Sequence, residues 1–341
     1  MQYEVTIGIP VYRAVDYISN TMESALNQTF SSIEYLIVDD CGNDGTMDVI
    51  EKLQHEHPRG ENIRILRHDK NHGVGMARNL ILEEAKGRYL FFMDSDDIVE
   101  SDAIDILVAV AKKGNAEVVY GSWVRVDHVN QGNSQYSVYP YKELFTTDAL
   151  ALYAFKNYST FRISVCNALF ELSFLRSTNL KFVDMPFWED LVFTYEMVTK
   201  VKRAILLPNI TYHYICRVGS LSHYQNREIL PKQEIIDNIN AIAYLKDMCH
   251  HLEDRKYMPF LCYNLGMNSY YVMTYILSNS HKIIPDFTTS DMCGLFYYPK
   301  SLFDIFKYRN KFFQNILFWG LGQMPCSLSL LSVRFLKMVK R

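Results

Sequence analysis

The sequence predicts an α/β fold: a doubly wound, mostly parallel sheet flanked by helices, followed by a helical C-terminal extension. Three observations carry this reading. Short apolar runs alternate with amphipathic helical segments over residues 4–126. One of those runs, RYLFFMD, is apolar on both faces, as a central strand of a parallel sheet must be. After residue 225 strand signals give way to helical stretches rich in Tyr, Met and Phe.

Taken in order, VTIGIPVY reads as the first strand and residues 17–28 as a helix. EYLIVDD is the second strand, followed by a helix over 46–55, and IRILRHD is the third. Residues 74–85 form a helix closed by Gly87, and RYLFFMD is the fourth strand. The next helix starts at Ser101, a suitable N-cap, and stops at Gly114; EVVYGSWVRV then returns to the sheet. Residues 128–141 are polar and turn-rich, a hairpin loop or a flap, and the elements from 146 to 224 are shorter and irregular. The chain thus divides into 1–127, 128–230 and 231–341. In sheets of this type ligands bind beyond the carboxyl ends of the strands. That edge collects Pro10, Val11, Tyr12, Asp39, Asp40, residues 71–75 and residues 94–97.

The acids at 94–97 are the most informative group. Side chains alternate along an extended chain, so Asp94 and Asp96 can point the same way with the small Ser95 between them. Two hard carboxylate ligands at this spacing suit Mg²⁺ or Mn²⁺, whose remaining positions would be filled by water and a substrate diphosphate. The plainer alternative is that Asp97 or Ser101 only caps the following helix, but Ser101 suffices for that.

Composition bounds the rest. The chain has 341 residues and 49% hydrophobic content, enough for a large core and a second region. Seven cysteines without a C-x-x-C pair are expected to be reduced, and no zinc framework is indicated. The N-terminus lacks a basic segment ahead of a long apolar run, which argues for a cytoplasmic chain. No basic groove is evident in the first 224 residues, so nucleic acid is not an expected partner. Net charge is −3, yet residues 300–341 carry eight Lys or Arg against the single acid Asp304. Residues 312–333 are uncharged but hold Gln, Asn, Pro and Ser, poor company for hydrocarbon. This tail suits interfacial helices lying on an anionic membrane surface. The alternative is a helix pair that covers the sheet or forms a homo-oligomer contact.

The strings IGIPVYRAVDYI, ESALNQTFSSIEYLIVDDCGNDGT, NHGVGMARN, GRYLFFMDSDD and FWEDLVF, in that order over roughly residues 4–224, resemble family 2 of the inverting glycosyltransferases, nucleotide-sugar-dependent enzymes of the GT-A fold. The resemblance implies that residues 1–127 bind the nucleotide-sugar and that 128–230 bind the acceptor; residues 231–341 lie outside it, and their membrane-apposed reading rests on the tail's composition and charge. It places Pro10, Val11 and Tyr12 at the base and Asp39 at the uracil or ribose of a UDP-sugar. Asp40 and Asp44 are read as turn-makers. Asn71 and Gly73 let backbone approach the ligand, and Arg78 lies near the phosphates or else braces the acidic edge by pairing with Asp39 or Asp94. By the same resemblance Asp94 and Asp96 hold the metal, with Asp97 supporting the sugar or the metal's surroundings.

Further along, Asp190 matches the family's general base, with Glu189 orienting the acceptor or Asp190 itself. Phe187 and Trp188 could stack on a sugar; alternatively Trp188 is core and the two acids only begin a helix. In RVGSLSH, Arg217 and Ser220 would touch phosphate and His223 would complete the metal shell, His213 being the weaker candidate. The implied activity is metal-dependent, inverting transfer from a nucleotide-sugar, UDP-linked, to a hydroxyl of a glycan or lipid-linked glycan acceptor. The basic, uncharged-cored tail adds the setting: a lipid-linked acceptor at the inner face of the cell membrane, as in bacterial surface polysaccharide synthesis. The rival readings are a non-catalytic binding protein on the same fold and a sugar nucleotidyltransferase. The latter needs a glycine-rich loop after the first strand, and IPVYRAVDY has none after Pro10.

Overall fold

The structure is a computed structural model that describes residues 3–127, 133–157, 164–186, 188–217 and 228–339. Its first half follows the expected alternation: β1 (Tyr3–Val11), α1 (Ile18–Leu26), β2 (Ile33–Asp39), α2 (Thr46–Glu56), β3 (Ile63–Arg67), α3 (Val74–Glu84) and β4 (Gly87–Phe92). A two-residue β5 (Ile98–Val99) and α4 (Ala103–Gly114) follow. Strands β3, β2, β1 and β4 lie side by side and parallel, with Val11 opposite Asp39 and Asp39 opposite Arg67. Four consecutive residues of β4, Tyr89 to Phe92, are buried, which is why this strand is central.

The second half is mixed. It comprises β6 (Val118–Asp127), β7 (Asn133–Ser137), β8 (Lys142–Leu144), α5 (Ala149–Lys156), β9 (Ala168–Glu171), α6 (Leu172–Ser177), α7 (Glu189–Lys200) and β10 (Ala204–Cys216). Strand β9 wedges between β4 and β6, antiparallel to both, and β10 runs parallel to β6. The full order is β3-β2-β1-β4-β9-β6-β10-β5, with β7 on β6 and β8 on β10. Pairing of Trp123–Asp127 with Asn133–Ser137 makes the polar stretch a hairpin.

Helix α4 is capped differently from expectation. Ser101 gives no side-chain cap; instead the Ile104 N–H donates to Gln28 Oε1 at 3.1 Å, so the helix start is satisfied from α1's end. Its C-cap is Asn115 in the left-handed region rather than Gly114.

The extension contains α8 (Lys232–His251), α9 (Met258–Asn279), α10 (Thr289–Met292), α11 (Leu302–Ile305), α12 (Phe312–Gln323) and α13 (Cys326–Val339). Tyr257, Met258, Leu261 and Leu265 join the main core, while Ile242, Val272, Ile276, Leu330 and Val333 build a second one. Inside the extension, Lys246 is 2% exposed and donates to the Leu295 carbonyl at 2.9 Å. Burial pulls this ammonium down to about 7. Contrary to the cysteine reading, Cys293 and Cys326 are joined by a disulfide; the fold brings the residue after α10 to the start of α13, which spacing alone does not reveal. Among the described residues no helix is long and apolar enough to cross a membrane.

Candidate active site

Every motif but one ends at the carboxyl edge of the parallel strands. At the edge of β1 and β2, Asp39 accepts from the Gly42 N–H at 3.3 Å and lies 3.8 Å from Arg67 Nε. Val11, Arg13, Asp39, Asp44, Arg67 and His68 line an open cleft of about 370 Å³. Pro10 ends on the buried strand, and Tyr12 is exposed with the Arg13 guanidinium over its ring. Arg67 was not among the expected residues. Its signal is present in the sequence, a cation at the carboxyl end of the strand beside Asp39.

Asp40 does more than shape a turn. It is 2% exposed, its Oδ1 accepts from the His72 N–H and its Oδ2 from the Gly73 N–H, each at 2.8 Å, and His68 Nδ1 lies 2.7 Å away. This carboxylate therefore sets the loop that carries Asn71 and Gly73. Gly73 has φ 89° and precedes α3, a conformation other residues rarely take. Asp44 keeps the expected role, accepting from Thr46 and from the Val15 N–H.

Helix α3 delivers Arg78, which is 5% exposed. Its Nη2 donates to Asp94 Oδ1 at 2.8 Å and its Nη1 to Glu189 Oε1 at 2.6 Å. One guanidinium thus joins the acids at the end of β4 to those that open α7. Gly75 permits the approach: a Cβ there would lie 3.1 Å from the Val183 carbonyl and 3.2 Å from Glu189 Cγ.

Asp96 is engaged by the other arginine. Arg217 Nε donates to its Oδ2 at 2.7 Å, while the guanidinium sits 4.2 Å from the Tyr17 ring centroid. Burial and the charge of Asp94 raise the Asp96 carboxyl, and Arg217 opposes them. Ser95 is fixed through its carbonyl, which accepts from Thr21 Oγ1 at 3.1 Å. Asp97 turns inward rather than toward a ligand. It is 1% exposed, accepts from Tyr212 Oη and from the Ile215 N–H at 2.8 Å each, and so ties the acidic loop to β10. Tyr212 Oη also accepts from the Asp94 N–H at 3.1 Å. This tyrosine was missed because nothing in its own strand, TYHYI, marks it.

Glu189 and Asp190 occupy the first turn of α7, whose N-cap is Trp188 with φ 63°. Trp188 packs against the core, as the plainer reading held. Glu189 is 6% exposed; burial and the neighbouring Asp190 push it up to about 7 against the pull of Arg78. Asp190 is half-buried, and its Oδ1 lies 2.7 Å from the Leu191 N–H. His213 is occupied elsewhere, with Nε2 2.6 Å from Glu100 Oε1. Ser220, His223 and Phe187 lie outside the described residues.

Asp94 and Asp96 supply hard oxygen donors whose mutual repulsion a dication would relieve, so they fit part of an Mg²⁺ or Mn²⁺ shell. Among the described residues no group of three or more His, Cys, Asp or Glu is placed to hold a metal ion.

Residues 6–177 match the model of Glycosyl transferase family 2. The cholesterol galactosyltransferase of Borreliella burgdorferi is 24% identical over 289 residues, 82% of this chain and 78% of that protein. The Escherichia coli UDP-Glc:alpha-D-GlcNAc-diphosphoundecaprenol beta-1,3-glucosyltransferase WfaP is 28% identical over 247 residues, 72% of this chain and 90% of that one. Among solved structures, Staphylococcus aureus TarS 1-349 in complex with UDP-GlcNAc superposes with a TM-score of 0.61 at 18% identity, covering 87% of this chain and 79% of TarS. The fold is thereby of the GT-A type.

Proposed function

The chain belongs to glycosyl transferase family 2, and from that premise we propose that this glycosyltransferase moves a sugar from a UDP-sugar to a hydroxyl of a glycan acceptor, inverting the anomeric centre. The observation that carries the reading is the Arg78 bridge from Asp94 to Glu189. It draws the acids suited to the donor diphosphate and those suited to the acceptor into one site. Asp39 and Arg67 border the cleft that we assign to the nucleoside. The UDP-GlcNAc complex of TarS supports that choice of donor through likeness of fold.

Asp94 and Asp96 are the residues that would hold Mg²⁺ or Mn²⁺. When bound, the ion neutralises charge on the departing diphosphate. Arg217, beside Asp96, is placed to pair with a phosphate oxygen. Glu189 is committed to Arg78 and positions the first turn of α7, which leaves Asp190 as the base that takes the acceptor proton. WfaP's name specifies a diphosphoundecaprenol-linked acceptor. By analogy we assign a lipid-linked glycan as acceptor here, in surface polysaccharide synthesis, with the chain peripheral on the inner face of the cell membrane.

The test is nucleotide diphosphate release from a panel of UDP-, GDP- and dTDP-sugars with Mn²⁺, Mg²⁺ or EDTA. Release from a UDP-sugar that EDTA abolishes and Asp96→Ala loses is the expected result. Equal release with EDTA present would remove the metal from the reading, and no release or binding of any UDP-sugar would remove the donor. With the lipid-linked acceptor supplied, Asp190→Ala should abolish transfer while donor binding survives.

A further inference from the structure

The outward faces of α12 and α13 are apolar where those of a helix pair in water should be polar. On α12, Phe313, Leu317 and Gly320 recur at helical spacing, Met324 follows as the C-cap, and Phe313 is 80% exposed. On α13, Leu328, Leu331 and Phe335 do the same, with Phe335 62% exposed. The inner faces are already docked: Asn315 Nδ2 donates to the Pro259 carbonyl at 3.0 Å, and Ser329 Oγ to the Leu321 carbonyl at 2.6 Å. Between the helices runs an apolar groove of about 580 Å³. Phe303 and Phe306 extend the patch ahead of α12, at 75% and 65% exposure, and Phe306 stacks toward Phe312.

Cations border this patch. Arg309 and Arg334 are exposed, Lys311 lies over the Tyr263 ring at 4.2 Å, and Lys337 sits on α13. The single acid of residues 300–341, Asp304, is taken by Ser301 and by Lys307 at 3.0 Å. We propose that this face lies on an anionic phospholipid bilayer, its aromatic and aliphatic side chains entering the interface and its cations meeting the headgroups. A second copy of the chain fits less well. A two-fold contact sets the cation-bordered patch against itself, and the acids beside it, Asp254 and Asp304, already pair with Lys307. The inference deepens the lipid-linked acceptor reading, since it holds the chain at the surface where such an acceptor resides, but it needs no turnover to be tested.

The experiment is co-sedimentation of the full chain with phosphatidylcholine vesicles and with vesicles containing phosphatidylglycerol, alongside sedimentation velocity without lipid. Wild type should bind the anionic vesicles at least about tenfold better than the neutral ones, and added salt should weaken it. The double variant Phe313→Glu, Phe335→Glu should lose about tenfold or more of that binding. Arg309→Glu with Arg334→Glu should lose the preference for anionic lipid. Both pairs should keep the wild-type circular dichroism and the wild-type rate of nucleotide diphosphate release without vesicles. Wild type that remains in the supernatant with both vesicles overturns the proposal, as does a dimer that Phe313→Glu converts to monomer. Vesicle binding with no release or binding of any UDP-sugar would remove the donor assignment and leave this inference standing.

Discussion

Arg78 Nη1 lies 2.6 Å from Glu189 Oε1, an ion pair between residues 111 positions apart that are 5% and 6% exposed. This pair fastens the start of α7 to the parallel half of the sheet. The same guanidinium reaches Asp94, so its loss leaves the buried Glu189 carboxyl and the partly exposed Asp94 without that cation.

Removing that cation should therefore cost more than one hydrogen bond. We expect Arg78→Ala to destabilise the fold by about 3–5 kcal/mol, the usual penalty for stranding a buried charge, read as a shift in the urea midpoint. Arg78→Lys keeps the charge but cannot serve both acids in the fork geometry, and should recover only part of it. A midpoint unchanged in Arg78→Ala would show that the two acids are neutral or hydrated without it.

Arg217 should behave differently. Its partner Asp96 sits at the mouth of the site, the two side chains being 22% and 18% exposed. We expect Arg217→Ala to move the melting transition little and to raise KM for the UDP-sugar about 10–100-fold, the loss typical of a hydrogen bond to a charged group. A large fall in stability with KM unchanged would make the residue a brace for the acidic loop alone.

Asp40→Ala releases the His72 and Gly73 N–H groups and His68 together. The expected cost is about 2–4 kcal/mol, with hydrogen exchange speeding at residues 71–74 ahead of the rest of the chain. Protection that stays at the wild-type level there would show the loop to be held by its own backbone.

How much of this was legible beforehand follows from the range of each interaction. The β4 run and its acids are local, so composition and alternation were enough. Asp40 looked like a turn-maker because CGNDGT follows it, and its true partners lie 28 to 33 residues on. For Arg78 the sequence offered Asp94 as a partner but gave no sign of Glu189. Strand β9 is four residues long, too short for any periodicity to show, and exists only because β4 and β6 flank it. The disulfide was hidden for the same reason.

Lys246 sets a pH dependence of stability. Its ammonium is pulled from 10.5 down to about 7 by burial. Between those values the unfolded chain binds the proton and the folded chain does not, so stability should rise with pH from about 7 to 10.5 and be flat in this respect below 7. Lys246→Met should remove that slope and stabilise the protein at pH 7 or below by at most ~5 kcal/mol, less the lost bond to the Leu295 carbonyl. Urea unfolding of both proteins at pH 7, 8.5 and 10 checks the sign; a slope that survives in Lys246→Met would assign it to another group.

The attachment of Asp97 to Tyr212 and Ile215 bears on what can be cut from this protein. Residues 6–177 carry the recognisable motifs through the acids of β4, but the strand that holds those acids in place begins at Ala204. A truncation that ends with the motif-bearing stretch would have the right letters and a slack loop. The catalytic unit is therefore not a portable cassette of its signature half: swaps between relatives should exchange β4 and β10 together, because the two strands share one joint.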